Sequence, residues 1–195
     1  MKTIHAPEAA ALPSIGLHTQ LNTTWHEKAL WAYAVVVALH WLEHLFQAYQ
    51  IWILDMPRPQ SLGALGYLFP WLVKSEVMHF GFAVFMLVGL MVLAPGFSGA
   101  AAKWWFASLA IQSWHFIEHT LLQGQAAVGS NLFHSEVPMS VVQQWIPRPE
   151  LHLLYNLAVF IPMVVAMVLH ARPGEATSGA TCTCAVPAAS GVSGV

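Results

Sequence analysis

His40-Trp41-Leu42-Glu43-His44 and His115-Phe116-Ile117-Glu118-His119 both read H-x-x-E-H and stand 75 residues apart in a chain of 195. On a helix, residues at i, i+3 and i+4 share a face, so each pentapeptide presents two imidazoles and a carboxylate to one side. The surrounding sequence repeats as well. Pro57-Arg58-Pro59-Gln60 is matched by Ile146-Pro147-Arg148-Pro149, and Met78-His79 by Leu151-His152, the two histidines being 73 residues apart. Self-similarity of this kind predicts two copies of one helical hairpin.

Each motif sits in a stretch with the length and apolarity of a membrane span, for which about 20 residues are needed. Four such stretches run roughly from Ala29 to Leu54, Val77 to Leu93, Trp104 to Leu122 and Leu151 to Leu169. Composition agrees: 57% of residues are hydrophobic, 8% are charged and the mean hydropathy is +0.58. An ordinary soluble domain carries about a quarter charged residues. The expected fold is therefore all-α and integral to the membrane, a four-transmembrane-helix bundle. Its two repeated hairpins are related by a pseudo-twofold axis along the membrane normal. Repeat one covers about 29–95 and repeat two about 104–170, inside a transmembrane domain of 25–172.

Local chemistry marks the helix ends. Thr24 with Glu27 reads as a capping box before the first span, Pro95-Gly96 stops the second, and Arg172-Pro173-Gly174 ends the fourth. Pro149 fits the first turn of the fourth span, and Pro162 inside it predicts a kink. Segment 1–24 lacks the ordered features of a signal peptide, so the first span is expected to be retained. The tail 173–195, rich in Ala, Gly, Ser and Thr, reads as disordered. Lys2, Lys28, Lys103 and Arg172 fall on the side of the N-terminus, against Arg58, Lys74 and Arg148 on the other. That distribution favours cytoplasmic termini, with the plasma membrane as location. Cys182 and Cys184 would then stay reduced. A net charge of −2 argues against nucleic acid as a partner; lipid is the expected surrounding, with partner membrane subunits or a homo-oligomer as further possibilities.

In an up-down bundle, the later halves of the first and third spans share a side with the starts of the second and fourth. His40, His44, His79, His115, His119 and His152 therefore fall in one layer, joined by Glu43 and Glu118. Ionisable groups inside a membrane are costly and functional by default. A ladder of neutral polar groups between helices is the plainer reading of any one of them. Six histidines in two matching halves point instead to metal, in a dinuclear site, since eight candidate ligands exceed what one ion needs. Imidazole with carboxylate favours iron or copper, with zinc possible. Haem is disfavoured because His40 and His44 are only ~6 Å apart along the helix, too close for two macrocycles.

Gln47, Glu76, Gln123 and Asn156 lie within a turn of these residues and are candidates to orient ligands. His5, His18, His26, His134 and His170 fall outside the layer and read as solvated or interfacial, and Trp104-Trp105 beside Lys103 as an interfacial anchor. The connections 55–74 and 124–149 are rich in apolar residues and read as two flaps over the mouth of the bundle. The motif loosely resembles the first histidine box of membrane fatty-acid hydroxylases and desaturases, which hold two irons; no H-x-x-H-H box follows. It also resembles the H-x-x-E-H of inverted zinc metallopeptidases, where the motif appears once per site. Neither likeness extends along the chain. The leading expectation is a membrane-embedded metalloprotein, an oxidoreductase acting on a small or lipophilic substrate. The alternatives are a metal-binding accessory subunit or carrier, and a structural four-helix subunit with a polar core.

Overall fold

The computed structural model describes residues 16–172 and residue 182. Those residues are helical, with no β-strand among them. A short α1 (Leu17–Leu21) leads into α2 (His26–Trp52). A 3-10 turn (Arg58–Gln60), α3 (Gly63–Leu68) and α4 (Pro70–Val73) form the first connection, followed by α5 (Glu76–Leu93). After a 3-10 turn at Ala94–Gly96 come α6 (Gly99–Val128), a second connection with a 3-10 turn at Val142–Gln144, and α7 (Arg148–His170).

Three of the long helices, α2, α5 and α7, are long and apolar enough to cross a membrane. The fourth, α6, carries Gln112, His115, Glu118, His119, Gln123 and Gln125 along its length, which explains why it is not among them. The four pack in cyclic order, α2 against α5 and α7, and α6 against α5 and α7. The closest packing is α6 on α7, and the loosest is α2 on α5.

The arrangement of polarity is inverted relative to a water-soluble protein. Trp31, Leu39, Leu42 and Phe46 of α2 are exposed, as are Phe106 and Ile117 of α6 and Ile161 of α7. His44, Gln112, His115, Glu118, His119, His152 and Asn156 are buried. An outer surface this apolar suits lipid, where each buried polar group must find its partner inside the protein. Below the histidines lies an apolar core built from Leu30, Tyr33, Val37, Leu90, Trp105 and Met163. Close packing and interhelical hydrogen bonds hold this half together. Tyr33 donates to Met86 O at 2.8 Å, Ser108 to Val159 O at 2.9 Å, and Gln112 to Ala83 O at 3.1 Å.

Several local expectations are corrected. The Thr24–Glu27 capping box does not form. The N-cap of α2 is Trp25 without a side-chain cap, because the chain arrives directly from α1 and the Trp25 amide bonds to Gln20 O. The third long helix runs to Val128 and stops at Gly129, whose φ of 66° is the left-handed conformation a helix terminus favours in glycine. Trp105 is a core residue rather than an interfacial anchor: it is fully buried, donates to Leu90 O at 2.8 Å and stacks on Phe97. His26 and His170 are likewise buried, not solvated, with ring centroids 5.0 Å apart beside Phe97 at the end remote from the histidine layer. His18 and His134 are exposed as expected. Cys182 is buried and disulfide-bonded, which sets aside the expectation of a reduced thiol. His5, and the expected disordered tail 173–195 apart from Cys182, lie outside the described residues.

Candidate metal centre

The layer assembles from four helices. His40 and His44 come from one face of α2 and their Nε2 atoms lie 3.1 Å apart. His115 and His119 come from the equivalent face of α6, with ring centroids 4.5 Å apart. His79 and His152 enter from the first turns of α5 and α7. Across the bundle, the His44 ring lies 5.6 Å from His152, and His79 lies 6.1 Å from His119 and 5.8 Å from His152. All six predicted histidines thus meet in one region.

Backbone and amide acceptors orient several rings. His79 Nδ1 bonds to Ser75 O at 3.0 Å and His152 Nδ1 to Arg148 O at 2.8 Å. A carbonyl only accepts, so Nδ1 carries the proton in both, leaving Nε2 with its lone pair, the form a metal requires. His44 Nδ1 bonds in the same sense to Gln47 Oε1 at 2.8 Å. One ring nitrogen from each of His115, His119 and His152 lies within 4.8 Å of the others, and all three residues are buried. Three buried ring nitrogens in this group, His115 Nδ1, His119 Nδ1 and His152 Nε2, have no hydrogen-bond partner.

That donor set fits a metal. Each unsatisfied buried polar atom costs roughly 1–3 kcal/mol, a penalty that a shared cation removes. Two nitrogens ~2.1 Å from one ion are at most ~4.2 Å apart, so binding asks for only a small contraction.

Each glutamate also has a backbone partner in a connecting segment. Glu43 Oε1 accepts the Leu65 amide at 2.7 Å, in the first turn of α3, and Glu118 Oε1 accepts the Val142 amide at 3.1 Å, in the 3-10 turn of the second connection. Both carboxylates therefore reach the flaps, and the three-nitrogen cluster forms without either. Each flap also hangs on a glutamine that sequence reasoning passed over. Gln50 Oε1 accepts Gly63 N at 2.8 Å; Gln125 Oε1 accepts Leu132 N at 2.9 Å and Met139 N at 3.2 Å. Gln50 and Gln125 are 75 residues apart, the spacing of the two motifs, and that was the available signal.

The other candidates have separate partners. Glu76 forms a two-pronged pair with Arg148, and Glu150 pairs with Arg58. Hydrogen bonding to Glu150 raises the Arg58 pKa above its usual value. Arg58 of the first connection thus grips Glu150 in the first turn of α7, and Arg148 at the start of α7 grips Glu76 at the start of α5. Asn156 donates to His152 O at 2.8 Å, and the buried Gln123 Oε1 has no partner.

Two openings reach the layer. A cavity of about 910 Å³ runs from the flap side, with Arg58, Lys74 and Arg148 on its walls and His44, His79 and His152 among its lining. A second, of about 320 Å³, lies between α2 and α5 beneath Leu65 and Val73. No family model matches the chain, and neither does a curated protein or a solved structure.

Proposed function

We propose that this chain is a membrane-embedded metalloprotein in which His115, His119 and His152 hold a transition-metal ion. The observation that carries the reading is the gathering of three buried histidines, with one ring nitrogen from each of His115, His119 and His152 within 4.8 Å of the others. His40, His44 and His79 form the corresponding set of the other half and would hold a second ion. Three protein nitrogens leave a coordination position open, the condition for chemistry at a metal. Imidazole suits zinc, copper, iron and nickel alike. Iron or copper is favoured for an oxidoreductase, because zinc has no redox chemistry, and the cavities give a small or lipophilic molecule a route to the layer. When bound, such an ion supplies redox or Lewis-acid chemistry. The chain's own residues orient the imidazoles and cover the site with two flaps.

The same proposal includes four spans, with α6 as the one whose polar face is turned inward and whose outer face presents Trp104, Phe106, Trp114 and Ile117. Thirty residues of helix reach ~45 Å, enough for a hydrocarbon core of ~30 Å. Two repeated hairpins account for the paired bonds: Tyr33 to Met86 beside Ser108 to Val159, and His79 to Ser75 beside His152 to Arg148. Cytoplasmic termini in a plasma membrane remain the orientation proposed from the positive charges.

The test is elemental analysis of protein purified without added metal, followed by anomalous scattering at the edge of the element found. Iron or copper located among the six histidines supports the reading. Full-length, folded protein that stays metal-free and takes up none of these ions overturns it.

A further inference from the structure

The two halves of the histidine layer are not equally closed. In the second half, His152 lies 5.6 Å from His115 and 5.1 Å from His119, measured between ring centroids. In the first half, His79 makes its ring contacts with His119 and His152 across the bundle, while His40 stacks on Phe82 at 3.7 Å. Between His79 and the His40–His44 pair lies the cavity of about 320 Å³. It coincides with the loosest packing between neighbouring long helices, that of α2 on α5.

The residues at its mouth explain the difference. The spacing that superposes the two H-x-x-E-H motifs sets Leu39 against Trp114, and the spacing of His79 and His152 sets Phe82 against Tyr155. Trp114 Nε1 donates to the Tyr155 hydroxyl at 2.8 Å, bridging α6 and α7. Leu39 and Phe82 have no polar atoms with which to make that bridge, and both line the cavity. Leu39 is 61% exposed on the outer, apolar surface, so the cavity opens where lipid would lie.

We infer that the gap between α2 and α5 is a lateral portal that admits a single-chain lipophile, an alkyl or acyl chain dissolved in the bilayer, to His40, His44 and His79. This deepens the metal-centre reading by naming a substrate class, and it rests on that reading for its purpose. The occupant follows from the lining. Val36, Leu39, Leu65, Val73, Met78 and Phe82 offer apolar contact, and the polar lining consists of His40, Glu43, His44, Gln47 and His79, with the Glu43 carboxylate engaged by the Leu65 amide. The volume is at the small end for ligand sites, which suits one chain. His44, Gln47, Val73 and His79 line both this cavity and the larger flap-side one, so the end of a chain that entered from lipid meets the polar side there.

The experiment uses the full chain reconstituted in lipid nanodiscs, with metal content measured in every sample. The probe is a decyl chain bearing a terminal alkyl diazirine, photolysed and mapped by mass spectrometry, with and without excess decanol. Labelling at Glu43, Gln47 or His79 that decanol suppresses is the expected result, beside non-suppressible labelling of Val35 and Leu42 on the outer face. The Leu39→Trp/Phe82→Tyr variant should lose most of the deep labelling and keep the outer labelling. The reciprocal Trp114→Leu/Tyr155→Phe variant should gain suppressible labelling at Glu118, a readout that stands even if the first variant does not fold. Deep labelling that is absent from the parent, or insensitive to decanol and to both variants, overturns the portal. Deep, suppressible labelling in protein devoid of metal upholds the portal and counts against the metal centre; bound metal without deep labelling does the reverse.

Discussion

The carboxylate of Glu43 accepts the backbone amide of Leu65 at 2.7 Å, tying the later part of α2 to the flap above it. Glu118 and Val142 repeat the relationship at 3.1 Å in the other half. In each H-x-x-E-H motif, then, the histidines face the layer and the glutamate fixes the cover.

Replacing these glutamates separates the two roles. Glu43→Gln and Glu118→Gln retain an acceptor oxygen, so both variants should keep their metal and lose little stability. Glu43→Ala and Glu118→Ala remove the cap and should each cost about 0.5–2 kcal/mol, the range for a lost helix-terminal acceptor. Metal content beside thermal unfolding checks both. Loss of metal in the Gln variants would return the carboxylates to the ligand set.

Removing the metal or one of its holders should loosen the whole layer. A ligand present at 100 times its dissociation constant stabilises the native state by about 2.7 kcal/mol, so chelation should lower the unfolding temperature. His152→Ala should abolish that chelator effect and the metal content together. An unfolding temperature that does not respond to chelator in metal-replete parent protein would contradict this.

Gln125 is buried and accepts the amides of both Leu132 and Met139, so Gln125→Leu removes the acceptor of two flap amides. The expected cost is about 1–3 kcal/mol. Hydrogen exchange should show it as lost protection at Leu132 and Met139, with the lower parts of α6 and α7 unchanged. Protection that falls uniformly along α6 would mean that Gln125 supports the helix and not the flap.

The two-pronged pair of Arg148 with Glu76 joins the start of α7 to the start of α5. Arg148→Gln and Glu76→Gln are each expected to destabilise, and the double variant by less than the sum. A coupling of up to about 1 kcal/mol is reasonable for a partly exposed pair. A double-mutant cycle on unfolding free energy measures it, and strictly additive effects would remove the pair from the account.

The sequence by itself determined the four long helices and the convergence of six histidines, though not the short helices α1, α3 and α4 or the full extent of α6. Helical periodicity is local: once His40 and His44, or His115 and His119, lie one turn apart, they share a face whatever the rest of the chain does. The matching His79 and His152 then follow from hairpin connectivity. Tertiary structure decided what periodicity does not encode. Where the Glu43 carboxylate goes depends on a flap amide 22 residues away, and for Glu118 on one 24 residues away. The burial of Trp105, His26 and His170 was equally hidden, because an aromatic or imidazole near a helix end suits an interface or a core, and only the packing of Phe97 between them selects the core. The opening between α2 and α5 was set by side chains on two helices acting together. Leu39 and Phe82 are unremarkable in sequence, and their meaning appears only where Trp114 and Tyr155, in the corresponding places, meet and bond.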